Sequence, residues 1–310
     1  MSEPKRQHYI PKFYLAGFCR DGESLWIRDG EKKLTRSDRP ENTAAINHYY
    51  SIDKDGQRDN SIEKGFSQLE GRAVSLIGSL VDGKQLPQES KDDLSLYAAF
   101  QWTRVPDFQR SVEKVAEHFL RQHMKMMFRN EEDVRKSLDE FAKETGQTVG
   151  VEPAKMLELF QGDGLNVDIK RILSLEMMLK QAEPMANYFR QMNWVILHAE
   201  GNCSFVTSDN PFILVPPENF PRNTWRGCGI ITPGSRKILP LTQSCCLMML
   251  DQGTAMVHHK VIKRDLRNIN RNVALRISRF LFGRDETLIN NLAPLADEAA
   301  QNRDGRFTIN

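Results

Sequence analysis

The sequence predicts an α+β protein, with a mixed or antiparallel sheet from its N- and C-terminal regions and a large helical middle region. Three observations carry this. Strand-like runs bounded by turn residues cluster in residues 1–60 and again in 192–290. Residues 61–191 instead repeat apolar residues at helical spacing. Segregated strands and helices, rather than alternating ones, define the α+β class. The expected organisation is a single integrated domain over residues 1–290, its first and last regions sharing one sheet, followed by a polar tail at 291–310.

In the first region, Tyr9–Phe18 is apolar and reads as strand or short helix. Ser24–Arg28, Asp29-Gly30 and Glu31–Thr35 read as a hairpin, because an Asp-Gly pair between strand-like runs favours a tight turn. Asn47–Ile52 is a further strand candidate. In the middle region Ser61 reads as the N-cap of a helix carrying Phe66, Leu69, Val74, Ile77 and Leu80. Leu86-Pro87 breaks the chain, and a second helix from Ser90 turns Leu94, Tyr97, Ala98, Gln101 and Trp102 inward. Pro106 interrupts it before the pattern resumes through Val112, Val115, Phe119 and Met126. Further helices are expected at Glu131–Thr145 and Ile169–Phe189, with linkers at 146–151 and 161–166. The last region reads as strands at Asn193–Ala199, Cys203–Thr207, Ile238–Leu241, Cys246–Leu250 and Met256–His258, then a helix over Asp265–Phe282.

The 310 residues are 40% hydrophobic, enough for a large core, and the formal net charge is +2. A near-balanced total does not announce a nucleic-acid binder, although a local basic stripe can still hold phosphates. The five cysteines include no CxxC pair, which suits a reducing cytoplasm and gives no zinc spacing. Residues 1–12 form no apolar signal segment, and no stretch approaches the roughly 20 apolar residues of a membrane helix. A cytoplasmic protein without a membrane partner is expected. Nothing in the sequence sets an oligomeric state.

Thr207-Ser208-Asp209-Asn210-Pro211 is the most informative segment. It places short polar residues at the end of an apolar run, where packing asks for none. Such residues make turns, and they also build polar sites where strands end. Near the chain start, His8 has a side chain suited to proton transfer near neutrality, or is simply an exposed terminal histidine. Glu63 and Glu70 lie about two helical turns apart on one face, roughly 10 Å along the axis. They would flank a substrate or a cation, or form a solvated face. Gln101 and Arg104 sit in an aromatic setting, where Arg104 would be a buried ion pair or an anion clamp. Asn270 stands out as one of three asparagines within an expected helix, a position asparagine disfavours.

No histidine-based metal site is expected. His118 and His123 miss the i, i+4 spacing, and His258-His259 would point to opposite faces of a strand. No phosphate-loop, GxGxxG or GxSxG pattern occurs, so no cofactor is expected.

Together these elements make the chain resemble the family called domain of unknown function 4238. The resemblance covers most of the chain. It rests on His8-Tyr9-Ile10-Pro11-Lys12-Phe13-Tyr14-Leu15, Gly17-Phe18, Leu25-Trp26-Ile27, Tyr50-Ser51, Ile62-Glu63 and Glu70. It continues through Gln101-Trp102-Thr103-Arg104-Val105-Pro106, Trp194-Val195 and Phe205–Pro211. The chain departs from the family pattern at Ala16, near which a polar or arginine residue is usual. The resemblance implies that His8, Glu63, Glu70, Gln101, Arg104, Asp209 and Asn210 are the family's polar positions, and one shared pocket would account for all of them.

The expected function is a metal-independent hydrolase of nucleic acid, acting on an N-glycosidic bond. Such a DNA or RNA glycosylase would suit defence against phage in a bacterial cell. Asp209 would be general base or electrostatic stabiliser, His8 would assist the leaving group, and Glu63 and Glu70 complete the catalytic set. Asn210, Gln101, Arg104, Ser208 and Asn270 would bind substrate. Arg121, Lys125, Arg129, Arg267, Arg271 and Arg276 would track the nucleic-acid backbone. The alternatives are a Mg²⁺-dependent nuclease using Glu63, Glu70 and Asp209, and a binding protein whose polar set is a buried network.

Overall fold

The computed structural model describes residues 6–54, 57–162, 169, 171–221 and 228–302. The chain opens with strand β1 (Arg6–His8), helix α1 (Lys12–Ala16), and strands β2 (Leu25–Asp29) and β3 (Leu34–Asp38). Short strands β4 (Ala45–Asn47), β5 (Ile52–Lys54) and β6 (Gln57–Asp59) follow. Helices come next: α2 (Ser61–Val81), α3 (Gln88–Thr103), α4 (Pro106–Met127), α5 (Glu131–Thr145), α6 (Pro153–Gln161) and α7 (Arg171–Arg190). The last third holds β7 (Met192–Ala199), β8 (Thr207–Ser208), β9 (Ile213–Val215), β10 (Arg236–Pro240), β11 (Cys245–Gln252) and β12 (Met256–Val261). Helix α8 (Lys263–Ala274), β13 (Phe280–Gly283) and α9 (Glu286–Gln301) complete it. The protein is α+β.

The two ends of the chain share a sheet. A four-stranded antiparallel sheet runs β3-β2-β13-β8, uniting residues from the first 40 with residues beyond 200. A five-stranded mixed sheet runs β12-β7-β11-β10-β9, with β12 parallel to β7 and the other pairs antiparallel. The chain falls into two compact units, one of residues 1–109 and 175–308, the other of 110–174. The helical middle is therefore divided: α2 and α3 belong with the strands, and α5 and α6 lie in the second unit. In the first unit Tyr14, Phe18, Phe189, Trp194, Phe205 and Phe282 are fully buried. Among the described residues no helix is long and apolar enough to cross a membrane. All five cysteines are free thiols.

Chain punctuation sets several boundaries as expected. Pro87 precedes α3 and Pro106 opens α4. Asn130 caps α5, its side chain accepting the Glu132 and Asp133 N–H groups, and Gly146 ends that helix at φ 70°. At α2, Ser61 is the first helical residue rather than the cap, and its N–H donates to Asp59 Oδ1.

Five readings change. Asn47–Ile52 is not one strand, since β4 ends at Asn47 and β5 begins at Ile52. The hairpin turn is the longer segment 30–33, because β2 runs through Asp29, which pairs with Leu34. Residues 203–206 form no strand, and only Thr207–Ser208 pairs. The expected last helix stops at Ala274, and Phe280–Gly283 is a strand hydrogen-bonded on both sides. A short apolar run there fits either state until its neighbours are known. Finally, residues 291–301 of the expected tail belong to helix α9. Asp285 caps α9 by accepting the Leu288 N–H at 2.8 Å, and Ile289, Leu292, Ala296 and Ala300 are buried. An alanine-rich face has little hydropathy but permits close packing. The rest of the expected tail, residues 303–310, lies outside the described residues.

That close packing depends on Gly30. A Cβ there would lie 2.8 Å from Ala300 Cβ and 2.9 Å from the Ala296 carbonyl oxygen. Gly30→Ala is expected to destabilise the protein by about 1–3 kcal/mol, the usual range for overpacking, measured as a lowered urea midpoint.

Candidate ligand cleft and the buried polar networks

Asp209 is 2% exposed. Its Oδ1 accepts the Ser278 N–H at 2.9 Å, and its Oδ2 accepts those of Arg279 at 2.7 Å and Phe280 at 3.0 Å. The Asp209 N–H donates in return to the Phe280 carbonyl at 3.0 Å. One carboxylate thus satisfies three amides leading into β13, beside the β8–β13 pairing. Burial, then the nearby Asp107 carboxylate, pushes Asp209 up to about 7, against the three N–H bonds that favour its charged form. Ser208 Oγ donates to the Asn210 carbonyl at 2.8 Å and accepts the Asn210 N–H at 3.1 Å. Asn210 Nδ2 donates to Asp107 Oδ2 and to the Arg276 carbonyl. The Ser-Asp-Asn segment is a turn whose polar groups bind the protein itself.

A second network surrounds Arg104, 3% exposed at the end of α3. Its Nε donates to Tyr50 Oη at 3.1 Å, Nη1 to Glu70 Oε1 at 2.7 Å, and Nη2 to the His8 carbonyl at 2.9 Å. The guanidinium lies 4.3 Å from the Phe66 ring centroid. His8 contributes its backbone to this network. Its Nε2 is 3.2 Å from the Glu41 carbonyl, and burial first, then nearby cations, holds the ring below the usual histidine value despite that bond. Glu63 joins through Gln7, whose Nε2 donates to Glu63 Oε2 at 2.5 Å and whose Oε1 accepts the Tyr50 N–H at 2.6 Å. Gln7 escaped the sequence reading although it adjoins His8.

Asn270 has a third task. Its Oδ1 accepts the Val206 N–H at 3.1 Å and its Nδ2 donates to the Ser204 carbonyl at 2.9 Å. The side-chain amide thereby takes one backbone group each from Ser204 and Val206, while the Phe205 N–H donates to the Gln243 carbonyl at 2.8 Å. Gln101 is fully buried on α3, and no hydrogen bond of ordinary length reaches its carboxamide among the described residues. His8, Glu63, Glu70 and Arg104 thus come together around Tyr50 and Gln7. Ser208, Asp209 and Asn210 come together with Asp107. Among the described residues no group of three His, Cys, Asp or Glu side chains is placed to hold a metal ion.

An open cleft of about 640 Å³ lies elsewhere in the first unit, between the five-stranded sheet and α8. Strand register explains its floor. Val195, Met248 and Ile238 are cross-strand partners and therefore share a face. Two residues along their strands, and so on the same face, come Leu197, Arg236 and His259, the last being the register partner of Leu197. All six line the cleft. Across from them α8 presents Arg264, Asn268 and Arg271, spaced at four and three residues along one face. Glu218 and Asp265 supply carboxylates, and Arg264 Nε binds Asp265 Oδ1 at 3.2 Å. Among the described residues neither Arg236 nor Arg271 has a carboxylate within salt-bridge distance.

Of the basic residues expected to track phosphates, Arg271 faces this cleft, whereas Arg276 Nε donates to the Leu214 carbonyl and Arg121 pairs with Glu117. Arg236 carries no signal in the sequence, His259 enters it only in the pair that does not fit a metal site, and Asn268 only as one of three helical asparagines. The alternation of β12, which sends His258 and His259 to opposite faces, was the available signal for His259.

His258 lies on the other face of that sheet. Its Nδ1 is 2.8 Å from His198 Nε2, and its Nε2 is 3.1 Å from the Lys84 carbonyl. A carbonyl requires a donor, so His258 carries its proton on Nε2 and His198 Nε2–H donates to His258 Nδ1. Burial, then His258, lowers His198 below its ordinary value of 6.5. The unfolded chain therefore takes up this proton first as pH falls. The stability contribution is fully present above about 6.5 and is lost as pH falls through the lowered folded value. His8 shifts in the same direction. Thermal midpoints between pH 7.5 and 5.5 should fall with pH, less steeply in His198→Gln.

Fold and site define an α+β protein with buried polar networks and an arginine-lined cleft. The family described as "Protein of unknown function (DUF4238)" matches residues 6–287, and the chain belongs to it. No curated protein matches the chain. No solved structure matches it either.

Proposed function

We propose that the chain hydrolyses an N-glycosidic bond in nucleic acid, with the cleft between the five-stranded sheet and α8 as its substrate site. The observation that supports this reading is the composition of the cleft: Arg236 and Arg271, with no carboxylate within salt-bridge distance among the described residues, beside an apolar floor. Arginine is suited to phosphate, and an apolar floor to a base. Glu218 and Asp265 would stabilise positive charge developing on the sugar. His259 would protonate the departing base. Buried Asp209 and Arg104 and half-buried Glu63 and Glu70 would then act as scaffold.

One observation favours a second reading, with Asp209 as general acid: burial, and then Asp107 beside it, hold its carboxyl up to about 7. The assay that decides uses purified protein with plain and modified single- and double-stranded DNA and RNA, in EDTA or Mg²⁺, with and without alkali. Alkali-dependent breaks that survive EDTA and drop about 100-fold or more in His259→Gln or Glu218→Gln support the cleft. The same breaks, lost only in Asp209→Asn protein of unchanged stability, favour the second reading. Direct breaks requiring Mg²⁺ would indicate a nuclease. No breaks on any substrate would overturn hydrolysis.

A further inference from the structure

We infer that the cleft is polarised along its length and takes one 5′-phosphorylated nucleotide unit, its phosphate at the Arg236–Arg271 end and its base on the floor toward β12. The inference rests on the cleft being the substrate site. It adds the size, orientation and charge of what enters.

Topology supplies the direction. Across the sheet the cleft-facing residues run from His259 and Val261 on β12, through Val195 and Leu197 on β7 and Met248 on β11, to Ile238 and Arg236 on β10. Three strand spacings separate β12 from β10, about 14 Å. Helix α8 crosses in the same sense. It starts two residues after β12 ends, and just beyond its C-terminus Arg276 Nε reaches the Leu214 carbonyl of β9 at 3.0 Å. Arg271 is seven residues beyond Arg264, about 10 Å along the axis. Arg271 and Arg236 therefore belong to the β9–β10 end. Arg264, tied to Asp265, belongs to the β12 end with His259, and Asn268 lies between Arg264 and Arg271 on α8.

The charges differ along that axis. At the β12 end the one arginine already holds a carboxylate. At the other, Arg236 and Arg271 have no carboxylate within salt-bridge distance among the described residues, and Glu218 is the acidic group lining the cleft there. An anion is favoured at the second end. Between the ends lie Val195, Leu197, Ile238 and Met248, an apolar surface with a polarizable thioether suited to a flat ring. Asn268 offers a donor and an acceptor beside that ring. A volume of about 640 Å³ lies within the range of small-molecule sites and does not hold a length of duplex. A free nucleotide and a nucleotide flipped out of a strand present the same chemistry.

The test is calorimetric titration of the full chain with nucleoside 5′-monophosphates, the matching nucleosides, inorganic phosphate and a single-stranded oligonucleotide. Monophosphates should bind at least tenfold tighter than nucleosides. Arg236→Gln and Arg271→Gln should each erase most of that difference and leave nucleoside binding unchanged, whereas Arg264→Gln should leave it intact. Both arginines are exposed, so folding is preserved. Met248→Trp should weaken monophosphate and nucleoside alike by filling the floor. An oligonucleotide binding tighter than the monophosphate identifies the flipped nucleotide, and the reverse identifies the free one. Equal binding of nucleoside and monophosphate, phosphate binding as tight as nucleotide binding, or no binding by any of them overturns the inference. Nucleotide binding without glycosidic cleavage overturns hydrolysis and leaves the polarised site standing.

Discussion

Asp209→Asn destabilises the protein by about 2–4 kcal/mol, because an amide cannot accept what two carboxylate oxygens accept here. Oδ1 and Oδ2 together receive the N–H groups of Ser278, Arg279 and Phe280. Asparagine has one acceptor oxygen, and its NH₂ faces at least one of these donors. A buried donor left unsatisfied costs roughly 1–3 kcal/mol. The loss falls on the entry to β13, a strand hydrogen-bonded to both β2 and β8, so it loosens the sheet that joins the chain ends. Urea denaturation followed by circular dichroism measures it. An unchanged midpoint with lost activity would return Asp209 to a catalytic role.

Arg104→Met is expected to cost about 3–5 kcal/mol, the range for removing one partner of a buried ion pair. Three acceptors lose their donor: Glu70 Oε1, the Tyr50 hydroxyl and the His8 carbonyl. Glu70 is partly exposed and recovers some hydration, whereas the His8 carbonyl lies at the junction of β1 with α1. Adding Glu70→Gln to Arg104→Met should cost less than the two single effects summed, because the residues share one bond. Additive losses in that double-mutant cycle would show that the pair does not couple.

The sequence marked the important positions better than it marked their roles. Asp209, Asn210, Arg104 and Glu70 stand out because polar residues in apolar surroundings need partners, and each has them. Their partners were not legible. Asp209 binds main-chain amides 69 to 71 residues away, and Arg104 binds a carbonyl 96 residues earlier. Backbone groups carry no side-chain signature, so neither bond can be read from composition or spacing. The candidate cleft was less legible still. Arg236 is unremarkable alone, and Arg236, His259 and Arg271 line one cleft only because cross-strand register puts the first two on one face and α8 lies over it.

Local punctuation determined much of the secondary structure. Residues 131–145 form the expected helix because Asn130 and Gly146 mark its ends chemically, whatever lies around it. Hydrophobic period likewise set the helical middle region and strand β7. The tertiary structure decided the rest. Phe280–Gly283 is a strand because two neighbours offer it hydrogen bonds, residues 204–206 lie outside the sheets with Asn270 and the Gln243 carbonyl as partners, and α9 packs through small residues whose value is closeness of approach to Gly30. Local preference acts over a few residues, where sequence is explicit. Pairing, burial and approach depend on residues distant in the chain, and only the folded structure brings those together.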